Sequence, residues 1–343
     1  MMARNPEDVL KEVVMLPGVS GHEGAVRDYI RKHVGKQTRE DAMGNLIFEM
    51  GGGKGPSIAI VAHMDEVGLM VSNILDDGNI KFKVIGGIYD QMLVARAVEI
   101  HTAKGIVRGA VGYNAPHLSI GRDPKDVLTW DKLVIDVGTR SRKETEALGV
   151  KFLDPVIIKK DWFRVNRKMV CSRSLDNRVG VTALLGVFDN LKNAKFKGKV
   201  SLIWTVQEEI GLRGANVIAN TMNFDYVIAL DTYSTTDSPG LDKYYQPVYL
   251  GKGPVLRMVD VRMIASPKFC ERLTAIAKKE KIPLQYGVTG GSTDGAIIQT
   301  SGAITMPIGI PMRYTHSATE IVHMDDFANL IRLLTAAVKD INK

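Results

Sequence analysis

DNRVGVTALLGVFDNL (176–191), VSLIWTVQEEIG (200–211), GANVIANTM (214–222) and YVIALD (226–231) follow one another as helix, strand, helix and strand. The first carries small and apolar residues on one helical face, whereas the strand segments are near-continuous apolar runs. Strands of that kind are buried on both faces, and their alternation with helices predicts parallel pairing in a sheet covered on each side. The pattern continues through SPKFCERLTAIAKKEKI (266–282, helix), LQYGV (284–288, strand), DGAIIQTSG (294–302, helix), AITMPIGIP (303–311, strand) and a closing helix, MDDFANLIRLLTAAVKDI (324–341). Upstream, Val9, Leu10, Val13 and Val14, then Val26, Ile30 and Val34, mark two amphipathic helices around the loop PGVSGHEG (17–24). Ile58 to Val61 reads as a buried strand. GGGKGP (51–56) is a hairpin or loop and no phosphate loop, because Lys54 is followed by Gly55 rather than Ser or Thr.

From about Leu69 to Arg167 the period shortens. NIKFKVIGG (79–87), AVEIHTAKGIVRGAVG (97–112), KLVIDVG (132–138) and DPVIIKK (154–160) are short alternating strands with frequent glycines, which predicts a small β-barrel or sandwich. The expected architecture is an α/β domain over residues 1–68 and 168–343, split by a β-rich insertion at 69–167. A length of 343 residues suits that division.

The chain is 45% apolar and 24% charged with mean hydropathy −0.02, which excludes a mostly disordered protein. Its net charge of +7 and pI near 9.2 raise the question of an acidic partner. The densest basic run, LKNAKFKGKV (191–200), holds four lysines and reads as a solvated face, with no zinc-knuckle, RNP or helix-turn-helix signature beside it. Two cysteines, Cys171 and Cys270, make no disulfide framework. MMARNPEDVLKEVVMLPG carries charges where a signal peptide needs an apolar stretch, and no run of about 18 apolar residues occurs. The expectation is a cytoplasmic protein with neither nucleic-acid nor membrane partners.

Three apolar strands end in potential ligands: IAIVAHMD at His63 and Asp65, SLIWTVQEE at Glu208 and Glu209, and YVIALD at Asp231. In an open α/β sheet, ligands collect beyond the carboxyl ends of the strands, so these side chains should converge, and a metal site is the first hypothesis. Of His63 and Asp65, one can bind a metal while the other orients the imidazole through its second nitrogen. Of the adjacent Glu208 and Glu209, one can bind metal while the other moves a proton; alternatively both cap the following helix. His316 stands out in MRYTHSATE, whereas His22, His33, His101, His117 and His323 read as surface or packed residues. Asp176 is either a helix N-cap or a bridge between two ions.

HMDEVGLMV (63–71), SLDNRVG (174–180), VQEEIGLRGA (206–215), ALDTYSTTDSPG (229–240), GGSTDGAI (290–297) and RYTHSATE (313–320), in that order, closely resemble the M42 metallopeptidases, the tetrahedral aminopeptidases with glutamyl and leucyl members. The resemblance runs from the PGVSG loop to the final helix. It implies a three-layer α/β peptidase domain with a mixed, largely parallel sheet and an inserted β-barrel-like dimerisation domain, with APHLSIGRDPKDVLTW (115–130) as its interface loop. It implies two divalent ions per subunit, Zn²⁺ or Co²⁺. His63, Asp176 and Asp231 would hold one ion and Asp176, Glu209 and His316 the other, with Asp176 bridging. Glu208 would be the general base and acid, Asp65 the orienter of His63, and a metal-bridging water the nucleophile that frees the N-terminal residue of a short peptide. Assembly as a hollow tetrahedron of twelve subunits built from dimers is also implied.

His63 and Asp176 lie 113 positions apart and Asp231 and His316 only 85, so the insertion is early, as in M42 and unlike the M20 peptidases, which insert after the Glu-Glu strand. Asn177 stands where the family often has a second Asp, which should leave metal binding intact. GGSTDGA replaces the frequent Gly-Gly-Gly-Thr-Asp-Ala, so Ser292 and Gly295 alter a segment expected near the pocket for the first substrate residue. Tyr233 and Thr235 are further candidates to line it. Neither segment supplies a Lys or Arg, so a small or neutral first residue is expected. Three alternatives stand beside this reading: a two-metal deacylase or amidase on N-acylated substrates, a nucleic-acid-binding assembly driven by the net charge, and a Cys171 and histidine nucleophile, for which no local motif exists.

Overall fold

The computed structural model of the chain describes residues 4–113, 116–118, 128–239 and 247–342. Two compact units emerge, one formed by Met1–Asp65, Asp161–Thr315 and Thr319–Lys343, the other by Glu66–Lys160 and His316–Ala318. The second unit begins and ends a few residues earlier than the glycine-rich alternation suggested. The reason is that Trp162–Arg164 pairs with Met169–Ser172 at the edge of the first unit's sheet.

In the first unit, the described residues build an 11-stranded mixed sheet. At its centre Lys199–Thr205, Ile58–His63, Tyr226–Ser234 and Ile304–Arg313 lie side by side, all parallel. Leu46–Gly51 flanks Lys199–Thr205 antiparallel, so Lys199–Thr205 separates Leu46–Gly51 from Ile58–His63. GGGKGP is therefore a loop between non-adjacent strands and closes no hairpin.

Alternation along the strands sends side chains to two cores. Ile58, Ile60, Val200, Leu202, Trp204, Ile228 and Leu230 pack with the helices Pro6–Met15, Gly24–Val34, Leu175–Leu191, Pro267–Lys279 and Met324–Ile341. Ala59, Val61, Ile203 and Val227 pack on the other face with Arg213–Thr221 and Asp294–Ile298. The predicted three-layer arrangement with a largely parallel centre is what forms. Each fully buried Ile or Leu contributes roughly 1.5–3 kcal/mol, which makes the sheet centre a firm base for the residues at its strand ends.

Among the described residues the second unit is a closed six-stranded barrel, ordered Gly68–Ile74, Ile80–Ile85, Ile135–Asp136, Gly105–Val111, Ala97–Thr102 and Pro155–Ile158, the last pairing back to the first. Its core holds Leu69, Val71, Phe82, Val98, Ile100, Val156 and Ile158 from alternating positions. Inside it Lys160 Nζ meets Glu66 Oε1 at 2.7 Å, a buried ion pair. The expected interface loop at 115–130 lies largely outside the described residues. No helix among the described residues is long and apolar enough to cross a membrane.

Candidate active site

Parallel register brings the strand ends together. Thr205 pairs with His63 and Ala229 with Val61, so Asp231, two residues further on, comes beside His63, although its strand does not end there as the apolar run suggested but continues to Ser234. These positions continue the face that carries Ile203, Val61 and Val227. The central strand Ile58–His63 has its neighbours' preceding helices on opposite faces of the sheet, which is where a cleft opens beyond strand carboxyl ends.

His63 is buried, and its Nε2 lies 3.4 Å from Asp176 Oδ1, 3.7 Å from Asp231 Oδ1 and 4.0 Å from Glu208 Oε2. One ligand atom each from His63, Asp176 and Asp231 falls within a 4.8 Å span. Asp176 belongs to the opening of Leu175–Leu191 but has non-helical dihedrals. Its Oδ2 accepts from the Thr232 hydroxyl at 2.8 Å, and its N–H donates to Glu320 Oε2 at 3.2 Å. The N-cap of this helix is Ser174, and past the kink Asn177 Oδ1 accepts the Gly180 N–H.

Negative charge is in excess here. Burial disfavours a charged His63, but Glu208, Asp176, Asp231 and Asp65 outweigh it and push the imidazole well above its ordinary pKa. Burial, then the charges of Asp231, Glu209 and Asp294, push Glu208 well above the carboxylate range against the pull of His63. Asp231 is raised by burial and by Asp176. Several carboxylates around one imidazole form a donor set that suits divalent cations, whose charge would relieve this repulsion.

The family model for the M42 glutamyl aminopeptidases matches residues 44–333. The chain belongs to the M42 peptidases. It is 33% identical to the lysyl aminopeptidase of Pyrococcus furiosus over 345 residues, 97% of each chain. Among solved structures it resembles the Pyrococcus horikoshii TET1 peptidase, described as assembling into a tetrahedron or a large octahedral shell, with 40% identity, TM-score 0.91 and coverage of 97% of this chain and 99% of that one. A dodecameric PhTET1 structure gives 39% identity and TM-score 0.90 over 98% and 99%. This M42 chain is accordingly a peptide hydrolase of an aminopeptidase family.

Around the cluster, Asp65 is a hub. Its Oδ1 faces His63 Nδ1 at 3.4 Å and accepts the Glu208 N–H at 3.0 Å, while Oδ2 accepts the Ser20 hydroxyl at 2.6 Å and the Glu209 N–H at 3.2 Å. Burial opposes its ionisation, but these bonds and His63 hold its pKa below the usual value. A proton on His63 Nδ1 toward Asp65 leaves Nε2 with its lone pair toward the carboxylates. Glu208 and Glu209 lie on the turn after Lys199–Thr205, not on the strand, and the adjacent helix begins only at Arg213. His316 lies in the His316–Ala318 segment of the barrel unit, its Nδ1 2.8 Å from the Gly87 carbonyl oxygen. A bond from Nδ1–H to that oxygen makes Nε2 the lone-pair nitrogen.

Asn177 is a buried clamp: Nδ2 donates to the Leu230 carbonyl at 2.8 Å and Oδ1 accepts the Gly180 N–H at 3.0 Å. Only an amide supplies both a donor and an acceptor there, so the departure from Asp has a structural use. Sequence reasoning missed Asp294, which is buried beside the cluster, accepts from the Thr205 hydroxyl and is pushed up to about 7, mostly by burial. Its signal was available: an acid inside GGSTDGA ahead of a short apolar helix. Arg257 was also missed. From Val255–Val259 it donates to the carbonyls of Ser292 at 3.1 Å and Thr232 at 2.7 Å, tying together the two segments expected to line the pocket. Tyr233, expected as a pocket residue, is buried and gives its hydroxyl to the Val288 carbonyl at 2.8 Å.

Proposed function

We propose that this M42 chain is a two-metal aminopeptidase that removes the N-terminal residue from short peptides. The observation that carries the reading is the convergence of His63, Asp176 and Asp231, with Glu208 alongside, at the carboxyl end of the central strand Ile58–His63. His63, Asp176 and Asp231 would hold one ion and Asp176, Glu209 and His316 the other, with Asp176 shared between them. When bound, two divalent ions, Zn²⁺ or Co²⁺, supply a polarised scissile carbonyl and an attacking water of lowered pKa. Glu208, whose Oε2 lies 4.0 Å from His63 Nε2, would take a proton from the attacking water and return it to the departing amine. Asp65 holds His63 in the tautomer that points Nε2 at the ions.

Both Nη groups of Arg257 are engaged by backbone carbonyls, which supports a small or neutral first substrate residue over an acidic one. The barrel unit serves as the dimerisation domain, and twelve subunits assemble from dimers into a closed shell that admits short peptides, by analogy with the TET1 assemblies. The two cysteines, unpaired in the structure, favour a cytoplasmic setting.

The test measures bound transition metal and hydrolysis of aminoacyl p-nitroanilides and N-acyl amino acids before and after chelation, for the parent and Glu208→Gln. The expectation is that chelation abolishes hydrolysis, added metal restores it, and Glu208→Gln keeps metal while losing about 10²–10⁴-fold in kcat. A protein that binds no transition metal and is activated by none overturns the mechanism. Cleavage of blocked substrates alone would favour the deacylase reading.

A further inference from the structure

The turn that carries Glu208 is closed by its own backbone on the carbonyl side, where the N–H groups of Gly211 and Leu212 bond the Glu208 carbonyl at 2.9 Å and those of Arg213 and Gly214 bond the Gln207 and Val206 carbonyls at 3.1 and 3.0 Å, whereas its N–H groups are held by side chains. Four consecutive N–H groups are taken in sequence: Val206 by Asn45 Oδ1 at 3.0 Å, Gln207 by Glu23 Oε1 at 3.2 Å, Glu208 by Asp65 Oδ1 at 3.0 Å and Glu209 by Asp65 Oδ2 at 3.2 Å. Asn45, Glu23 and Asp65 are all buried. Asn45 also donates to the Gly214 carbonyl at 3.0 Å, closing the far end of the turn. Glu23 Oε1 accepts a second N–H, from Gly21 at 2.8 Å, so one oxygen joins the loop after the first helix to the turn bearing the proposed base.

Gln207 sits at φ +56, in the left-handed region that a non-glycine residue occupies only when its surroundings hold it there. Asp65 restrains the two residues after it, but Glu23 alone binds the N–H of Gln207 itself. Without that bond Gln207 is tied only through its carbonyl, to the Arg213 N–H at 3.1 Å, its left-handed conformation loses one of two restraints, and the direction in which the Glu208 side chain leaves the turn changes.

We infer that Glu23 is a positioning residue for catalysis, fixing the carboxylate of Glu208 through the backbone of Gln207. The inference rests on Glu208 being the general base. Glu23 touches neither His63 nor Asp176 nor Asp231 through any hydrogen bond in the structure, so its contribution should fall on turnover and not on substrate or metal affinity.

The experiment compares kcat, KM and metal content of the metal-loaded enzyme for Glu23→Ala, Glu23→Gln, Glu208→Gln and the Glu23→Ala/Glu208→Gln pair, on the best-hydrolysed aminoacyl p-nitroanilide. Glu23→Ala should lower kcat about ten- to hundredfold, the scale of a displaced catalytic group, with KM within about twofold and metal retained. Glu23→Gln, whose Oε1 can accept the same two N–H groups, should recover kcat to within about threefold of the parent. In the Glu208→Gln background Glu23→Ala should change the residual rate by less than about twofold, because residues acting through one group are non-additive. If Glu23→Ala does not fold, Glu23→Asp, one methylene shorter, should lower kcat at constant KM. Parent-like kcat in Glu23→Ala or Glu23→Asp, or an undiminished effect in the Glu208→Gln background, overturns the inference. Parent-like kcat in Glu208→Gln instead removes the general-base reading, and the inference with it.

Discussion

Replacing Asp65 by asparagine preserves the side chain's size and removes one of its two acceptor oxygens. Three donors bond those oxygens: the Glu208 N–H at 3.0 Å on Oδ1, and the Ser20 hydroxyl at 2.6 Å and the Glu209 N–H at 3.2 Å on Oδ2, with His63 Nδ1 3.4 Å from Oδ1. Whichever way the amide turns, its NH₂ meets at least one of them. The less costly orientation puts the NH₂ toward Ser20, whose hydroxyl can rotate to accept, and leaves the Glu209 N–H unpaired in a buried site. That lost charge-assisted bond costs about 1.5–3 kcal/mol, and the Glu208 N–H bond remaining on the amide oxygen falls by about 1 kcal/mol from charged to neutral strength. The sum is about 2.5–4 kcal/mol. Urea unfolding of metal-free Asp65→Asn should show a loss of that size, and the metal-loaded variant should lose at least about tenfold in kcat as the Glu208–Glu209 turn loosens. A loss below about 1 kcal/mol with kcat within about threefold of the parent would refute the view of Asp65 as the hub of the site.

Two further outcomes are expected. Cys171 is buried and its thiol is pushed up to about 11, first by burial and then by Glu320 and Asp161, so iodoacetamide at neutral pH should leave Cys171 unmodified by mass spectrometry and activity intact; rapid labelling with inactivation would revive a thiol mechanism. Burial opposes ionisation of Asp237, but the Arg313 fork at 2.7 and 3.1 Å and the Leu250 N–H outweigh it and hold its carboxyl below the ordinary range. A folded pKa below the unfolded one stabilises the chain above about pH 4, and that contribution disappears as pH falls through the depressed value. Asp237→Asn should therefore lower the urea midpoint at about pH 6.5 and converge with the parent near about pH 3, and an equal offset at both pH values would exclude this linkage.

Much of this molecule is legible in its sequence, and the reason is local. The apolar runs at 58–61, 200–206 and 226–230 have one way to be buried on both faces, and the helical spacing of 176–191 and 324–341 supplies the cover. A polar or acidic residue at the end of such a run is visible as a change of character, which is why His63, Asp65, Glu208, Glu209 and Asp231 could be named before any geometry. The M42 motifs then ordered them into roles.

Strand order was not local. GGGKGP joins two apolar strands and resembles a hairpin turn, yet Lys199–Thr205, distant in the chain, lies between them. Pairing is decided by the whole sheet, since every strand competes for the central, doubly buried positions. The polar residues that hold the site were equally hidden. Glu23 and Asn45 sit in loops where an acid and an amide are ordinary surface residues, and only the fold buries them against the N–H groups of Val206 and Gln207. Arg257 is one charged residue in an apolar strand until the fold sets it between Thr232 and Ser292. Periodicity reports which side of an element is apolar, so the sequence by itself determined the elements, the layers and the polar residues that close the apolar runs. Which buried polar atom meets which donor depends on contacts between segments remote in the chain, and that only the tertiary structure decided.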